Sequence, residues 1–336
     1  MEGTMKIYLV IVAWCCSTVL SCPDHCTCNS SANGTAVICS SVSLEAFPSG
    51  LPSNTVSLSI EFTNLSTISP ELLKGVPSLE ALHLSGNKIS ALPSGFLKDL
   101  PLLHTLDLTG NLLQDLPSEV FCGSSLQNLV LKGNQLMAVN PSWFQCLSNL
   151  TWLDLSDNRL GSVPLTALQH LPRLKILDLS DNKLEKLPQG ALNDLPELER
   201  LHLSGNKLSV LAPKTFDQAT NLTHLFLQEN LLKKLPYGLF LKLQRLEVLD
   251  LSSNGLTTIP LGLFDKLEGL RGLSIQGLDV ASNPFECDCK ILYLWQWLNS
   301  NKEKVFFLKD IQCAMPEGLK GRMIASLTEK EVEGAC

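Results

Sequence analysis

The stretch Leu79-Glu-Ala-Leu82-His-Leu84-Ser-Gly-Asn87 decides the fold, because its spacing returns seven more times along the chain. The recurring asparagines are Asn87, Asn111, Asn134, Asn158, Asn182, Asn206, Asn230 and Asn254, at steps of 24, 23, 24, 24, 24, 24 and 24 residues. Leucine stands 8, 5 and 3 residues before each of them, as Leu246, Leu249 and Leu251 do before Asn254. A degenerate copy comes first, with Leu58, Ile60, Leu65 and Ile68 in register and Thr63 at the asparagine position. Another comes last, Leu278-Asp-Val280 with Asn283, after five extra residues. Alternation in each Leu-x-Leu segment predicts a short strand, with leucines facing one way and the intervening residues the other. A fixed period of this length marks a stack of coils in which each unit contacts only its neighbours.

The unit reads as a leucine-rich repeat. The predicted fold is an α/β solenoid, a curved horseshoe with a parallel concave sheet and disulfide-stabilised amino and carboxyl caps. The asparagine amide can satisfy backbone groups at the turn, and stacked copies then form a ladder inside the coil. The second half of a unit, as in Leu187-Pro-Gln-Gly-Ala-Leu192-Asn-Asp-Leu195-Pro, returns the chain along the convex side. Proline there limits regular helix, so irregular or 3₁₀ structure is expected. No unit buries its leucines alone, so the end coils need covers.

Composition bounds the function. The chain has 336 residues, 45% hydrophobic and 18% charged, with 26 Lys+Arg against 33 Asp+Glu. A net charge of −7 argues against a nucleic-acid binder and supplies no polybasic membrane anchor. Residues 1–6 carry one lysine, residues 7–20 are nearly all apolar, and Val19 and Ser21 are small enough for a cleavage site. This reads as a signal peptide over 1–21, and the protein is expected to be secreted, extracellular and soluble. The Cys15 and Cys16 thiols leave with it, so ten cysteines remain in an oxidising compartment. The expected division is an amino cap over 22–52, about nine repeats over 53–270 and a carboxyl cap over 271–336.

No signature of a catalytic nucleophile, zinc protease, dinucleotide fold or P-loop is present in the sequence, and the protein is not expected to be an enzyme or to need a cofactor. The Cys287-Asp-Cys289 pair reads as cap disulfide chemistry rather than a metal site. The His83 and His202 rings share a column five coils apart, roughly 24 Å at strand spacing, too far to share a metal. The His202 and His224 rings lie on adjacent strands near Glu229; they read as polar face residues, the alternative being a weak metal site.

The concave face carries more information. Positions 6, 4, 2 and 1 before each ladder residue hold Glu61, Asp107, Asp154, Asp157, Asp178, Asp181, Glu229, Asp250 and Asp279, against only Lys132 and Arg200. Acids on strands about 4.8 Å apart make a stripe whose field adds and favours a basic partner. The alternative is that these aspartates merely solvate the sheet. The same columns hold Trp152, Phe226 and Phe62, candidate interface anchors. Five Asn-x-Ser/Thr sequons, at Asn29, Asn33, Asn64, Asn149 and Asn221, predict a glycoprotein, with Asn149 and Asn221 at the same phase of the repeat.

Two cysteine clusters, Cys22-Pro-Asp-His-Cys26-Thr-Cys28 with Cys39, and Cys287-Asp-Cys289 with Cys313 and Cys336, resemble the flanking caps of extracellular leucine-rich-repeat proteins. Spacing alone allows three pairings per cluster. The resemblance implies Cys22–Cys28, Cys26–Cys39, Cys287–Cys313 and Cys289–Cys336. In the carboxyl cap, residues 290–298 read as an amphipathic helix sealing the last coil. One repeat step separates Cys122 from Cys146, and these two are either bonded or buried thiols.

Finer phrases narrow the resemblance. Val56-Ser-Leu-Ser-Ile-Glu-Phe-Thr-Asn-Leu65, His104-Thr-Leu-Asp-Leu-Thr-Gly-Asn111 and Tyr293-Leu-Trp-Gln-Trp-Leu298 resemble the leucine-rich alpha-2-glycoprotein family. The cysteine-rich caps point toward its snake-serum phospholipase A2 inhibitor beta branch. That branch implies an inhibitor of basic group II phospholipase A2, assembled as an oligomer such as a homotrimer. The other reading is a signalling modulator that binds a growth-factor ligand, its receptor or cytochrome c.

Overall fold

The computed structural model describes residues 22–41, 43–272 and 277–333. The predicted signal segment and Cys336 lie outside them. Twelve strands form one sheet in chain order. An antiparallel hairpin, Thr27–Ser31 with Gly34–Ile38, opens it, and every later strand from Thr55–Ser59 to Gly277–Asp279 joins in parallel. Register is fixed by the repeat: Leu129, Leu153, Leu177, Leu201 and Leu225 pair in succession, and each is fully buried. A slip of one residue would turn each of these leucines outward, so burial holds the register.

The asparagines form the ladder that the repeat predicts. The Asn158 Nδ2 donates to the Leu155 and Ser156 carbonyls of its own coil and to the Leu131 carbonyl of the preceding one, at 3.2, 3.0 and 2.9 Å. Its Oδ1 accepts from the Leu136 N–H at 3.0 Å. In the first coil the Thr63 hydroxyl takes this place, donating to Asn87 Oδ1 and accepting from the Leu65 N–H. The residue before each ladder position has left-handed backbone: glycine at 86, 110, 133 and 205, but Phe62, Asp157, Asp181, Glu229, Ser253 and Ser282 elsewhere.

The convex return is made of turns, interrupted by the short helices Pro70–Leu73 and Leu165–Leu168 and the 3₁₀ turn Pro141–Trp143. Buried phenylalanines at 96, 121, 144, 216, 240 and 264 line its inner side, and the Phe216 and Phe240 rings stack at 6.0 Å. A second, two-stranded sheet pairs Lys186–Leu187 with Val210–Leu211.

The caps close as the resemblance implies for Cys22–Cys28, Cys26–Cys39 and Cys287–Cys313. Cys289 is also disulfide-bonded. The central pair is a disulfide rather than two thiols, with 5.2 Å between the Cα atoms of Cys122 and Cys146. The carboxyl-cap helix runs over Leu292–Ser300, two residues later than the periodicity suggests. Asp288 caps a 3₁₀ turn, Cys289–Ile291, ahead of it by accepting from the Lys290 N–H. Its Leu294 and Leu298 are buried, and Trp297 meets the Phe264 ring edge-on at 5.3 Å. Among the described residues no helix is long and apolar enough to cross a membrane.

Candidate binding face

Strand pairing aligns the concave residues into rows. The row four residues before the ladder runs Asp107, Val130, Asp154, Asp178, His202, Phe226, Asp250, Asp279. The row six residues before it holds Trp152, Ile176, Arg200 and His224 side by side. The exposed carboxylates of Asp157, Asp181 and Glu229 stand one residue before the ladder, at the edge where the strands end. Glu61 and Phe62 sit apart from the central group, on the first coil.

Position on the face does not give every acid the same exposure. Each aspartate of the inner row accepts from the N–H two residues on: Asp107 from Thr109, Asp154 from Ser156, Asp178 from Ser180, Asp250 from Ser252 and Asp279 from Ala281, all at 2.8–2.9 Å. The hydroxyls of Ser156, Ser180 and Ser252 donate to the same oxygens. This Asx turn bends the chain out of the strand into the ladder position. These aspartates therefore have a structural task as well as a charge. Asp154 is 8% exposed and Asp279 7%. Burial raises the carboxyl pKa of both, that of Asp279 to about 6. Glu61 is half-buried; burial pushes its pKa up, but hydroxyls of Ser59 and Ser85 hold it below the usual value.

An aromatic cluster lies at the centre. The Phe226 ring stacks on His202 at 4.4 Å and stands 6.3 Å from His224, while Trp152 is 41% exposed two strands before His202. The His202 Nδ1 is 3.9 Å from the Asp178 carboxylate. Burial lowers the pKa of His202 despite that neighbour, and it lowers that of His224 too. Burial therefore favours the neutral form of both imidazoles, and the cluster offers apolar and π surface beside carboxylates. Such a face suits a partner with cationic side chains around an apolar centre. Among the described residues no group of three or more His, Cys, Asp and Glu is arranged to hold a metal ion.

The sequon side chains lie away from this face. Asn29 and Asn33 are exposed on the amino hairpin. The Asn64 Nδ2 donates to Ser43 Oγ at 3.5 Å. The turns leading into strands hold Asn149 and Asn221, whose Oδ1 atoms accept from Arg173 and Arg245, each one repeat step ahead. The stack and its locking serines were not anticipated from the sequence, although a serine two residues after the aspartate in three coils is a usable signal.

This geometry defines a repeat scaffold with a concave binding surface. The family described as Leucine rich repeat matches residues 53–113, 101–160, 124–184, 172–232 and 220–279, and the chain belongs to it. It is 43% identical over 75 residues to Phospholipase A2 inhibitor beta of Elaphe climacophora, 22% of each chain. It is 38% identical over 63 residues to Platelet glycoprotein Ib beta chain of Rattus norvegicus, 19% of this chain and 30% of that one. The chain thus spans less than a third of the length of these relatives. Among solved structures, a chain from the octameric complex of Latrophilin 3 (Lec, Olf), Unc5D (Ig, Ig2, TSP1) and FLRT2 (LRR) superposes with a TM-score of 0.72 at 26% identity, covering 94% of this chain and 100% of that one.

Proposed function

We propose that the protein is a secreted plasma glycoprotein whose concave face captures a basic protein, and that this partner is a basic group II phospholipase A2. The observation that carries the reading is charge segregation: nine acids and two bases occupy the concave columns. Relatives named as phospholipase A2 inhibitors, from Elaphe climacophora and Gloydius brevicaudus siniticus, support the choice of partner. Inhibition needs no chemistry, because covering the surface that such an enzyme lays on a membrane is sufficient. Cap disulfides and five sequons fit the extracellular setting. A homotrimer would present three such faces to the enzyme.

The test is titration of a basic group II phospholipase with the purified protein. Stoichiometric loss of activity that weakens as salt rises is the expected result. Full activity at micromolar excess of the protein overturns the reading.

A further inference from the structure

We infer that the edge where the strands end is a docking surface for a sulfated polysaccharide. Immediately after the ladder asparagines, four successive coils read Arg159-Leu-Gly-Ser-Val163, Lys183-Leu-Glu-Lys-Leu187, Lys207-Leu-Ser-Val-Leu211 and Leu231-Leu-Lys-Lys-Leu235. Their six cations, Arg159, Lys183, Lys186, Lys207, Lys233 and Lys234, are all exposed, and Glu185 is the one acid among these segments. Every ion pair among the described residues lies elsewhere.

The backbone holds these cations at a set spacing. The N–H groups of Arg159, Lys183 and Lys207 donate to the carbonyls of Leu136, Leu160 and Leu184 on the preceding coils, at 2.8, 2.9 and 2.9 Å. Successive coils therefore stand about one strand spacing apart here, ~4.8 Å. The pairing of Lys186–Leu187 with Val210–Leu211 continues that spacing further along the edge. The exposed carboxylates of Asp157, Asp181 and Glu229 share this edge, so with Glu185 four acids face six cations here, an excess of two positive charges whose rows add their fields.

The ligand this fits is a thin, linear polyanion. A bulky acidic protein would meet the repulsion of a chain whose net charge is −7, whereas a single strand touches only the edge. These segments contain no aromatic side chain, so they offer neither stacking platforms for nucleic-acid bases nor an aromatic membrane anchor. Sulfated polysaccharide is the polyanion consistent with an extracellular, disulfide-bonded protein. Glycans at Asn149 and Asn221 would not cover the edge, because those turns lead into the strands at the opposite side of the sheet.

Heparin is the probe. The full chain is expected to bind it at about 0.15 M salt, with affinity falling as salt rises. The exposed triple change Lys183→Glu, Lys186→Glu and Lys207→Glu should weaken binding by at least about tenfold and flatten the salt dependence. Its melting temperature should stay unchanged and it should still inhibit the phospholipase stoichiometrically, since added acids favour a basic partner, so failure here is separable from failure of the concave-face reading. Absence of heparin binding, undiminished binding by the triple variant, or binding to phosphatidylserine vesicles in place of heparin each overturns the proposal.

Discussion

The carboxylate of Asp181 lies over Gly205, in the space that a β-carbon on that residue would require. One coil earlier, the Asp157 Oδ2 lies 3.5 Å from the equivalent point on Gly133. The two exposed aspartates thus lean apart, each toward a glycine, which lowers their mutual repulsion while keeping both charges on the face.

This relationship predicts different outcomes for two alanine substitutions. Both Gly205 and Gly110 have left-handed backbone, φ +61° and +66°. Strain alone costs about 1 kcal/mol at either site. Only at Gly205 must a neighbouring side chain move as well, since the nearest atom at Gly110 is 3.6 Å away. Thermal melts should therefore show Gly205→Ala less stable than Gly110→Ala, and equal losses would refute the steric account.

Removing charge without disturbing the turns isolates the electrostatic contribution. The inner-row aspartates hold Asx turns, so the cleaner pair is Asp157→Asn with Asp181→Asn, because asparagine tolerates left-handed backbone. Association with a basic ligand should slow about three- to tenfold at low salt and change little at high salt. Stopped-flow rates that are equal at low salt would remove these carboxylates from recognition.

The ladder is sensitive to donor chemistry more than to shape. Replacing Asn158 by Asp keeps the outline but turns a donor of three carbonyl contacts into a carboxylate oxygen facing them. The loss at neutral pH should reach about 3–5 kcal/mol, at least as great as for Asn158→Ala. Urea or thermal unfolding measures it, and a milder effect for Asp than for Ala would contradict the donor role.

The buried carboxyl of Asp279 makes a pH-dependent contribution. Its folded pKa of about 6 lies above the ordinary aspartate value, so the native state holds the proton more tightly than the unfolded chain. Its contribution favours folding below about pH 4 and is lost as pH rises through 6. The Asp279→Asn variant keeps the acceptor for the Ala281 N–H, found at 2.8 Å. It should be more stable than the parent at pH 7.4 by about 1–2 kcal/mol after allowance for screening, with the gap closing toward pH 4. A gap that widens in acid would reverse the sign and discard the explanation.

The sequence by itself determined the coil, its phase and its faces. A 24-residue step with leucine at fixed offsets leaves one way to bury the leucines, and Asn158 or Asn182 then has one place to stand. The acids of the concave columns were legible for the same reason. Tertiary structure decided what those acids do. Asp154 and Asp157 belong to one coil, yet the first turns inward to hold Ser156 and the second projects over Gly133. That difference depends on backbone conformation and on side chains one coil away, which the period places nearby without fixing their orientation. Contact between adjacent coils likewise made Cys122 and Cys146 a bond and stacked His202 against Phe226. Repetition supplies the address of each residue, and packing between neighbouring coils sets its burial, partners and charge.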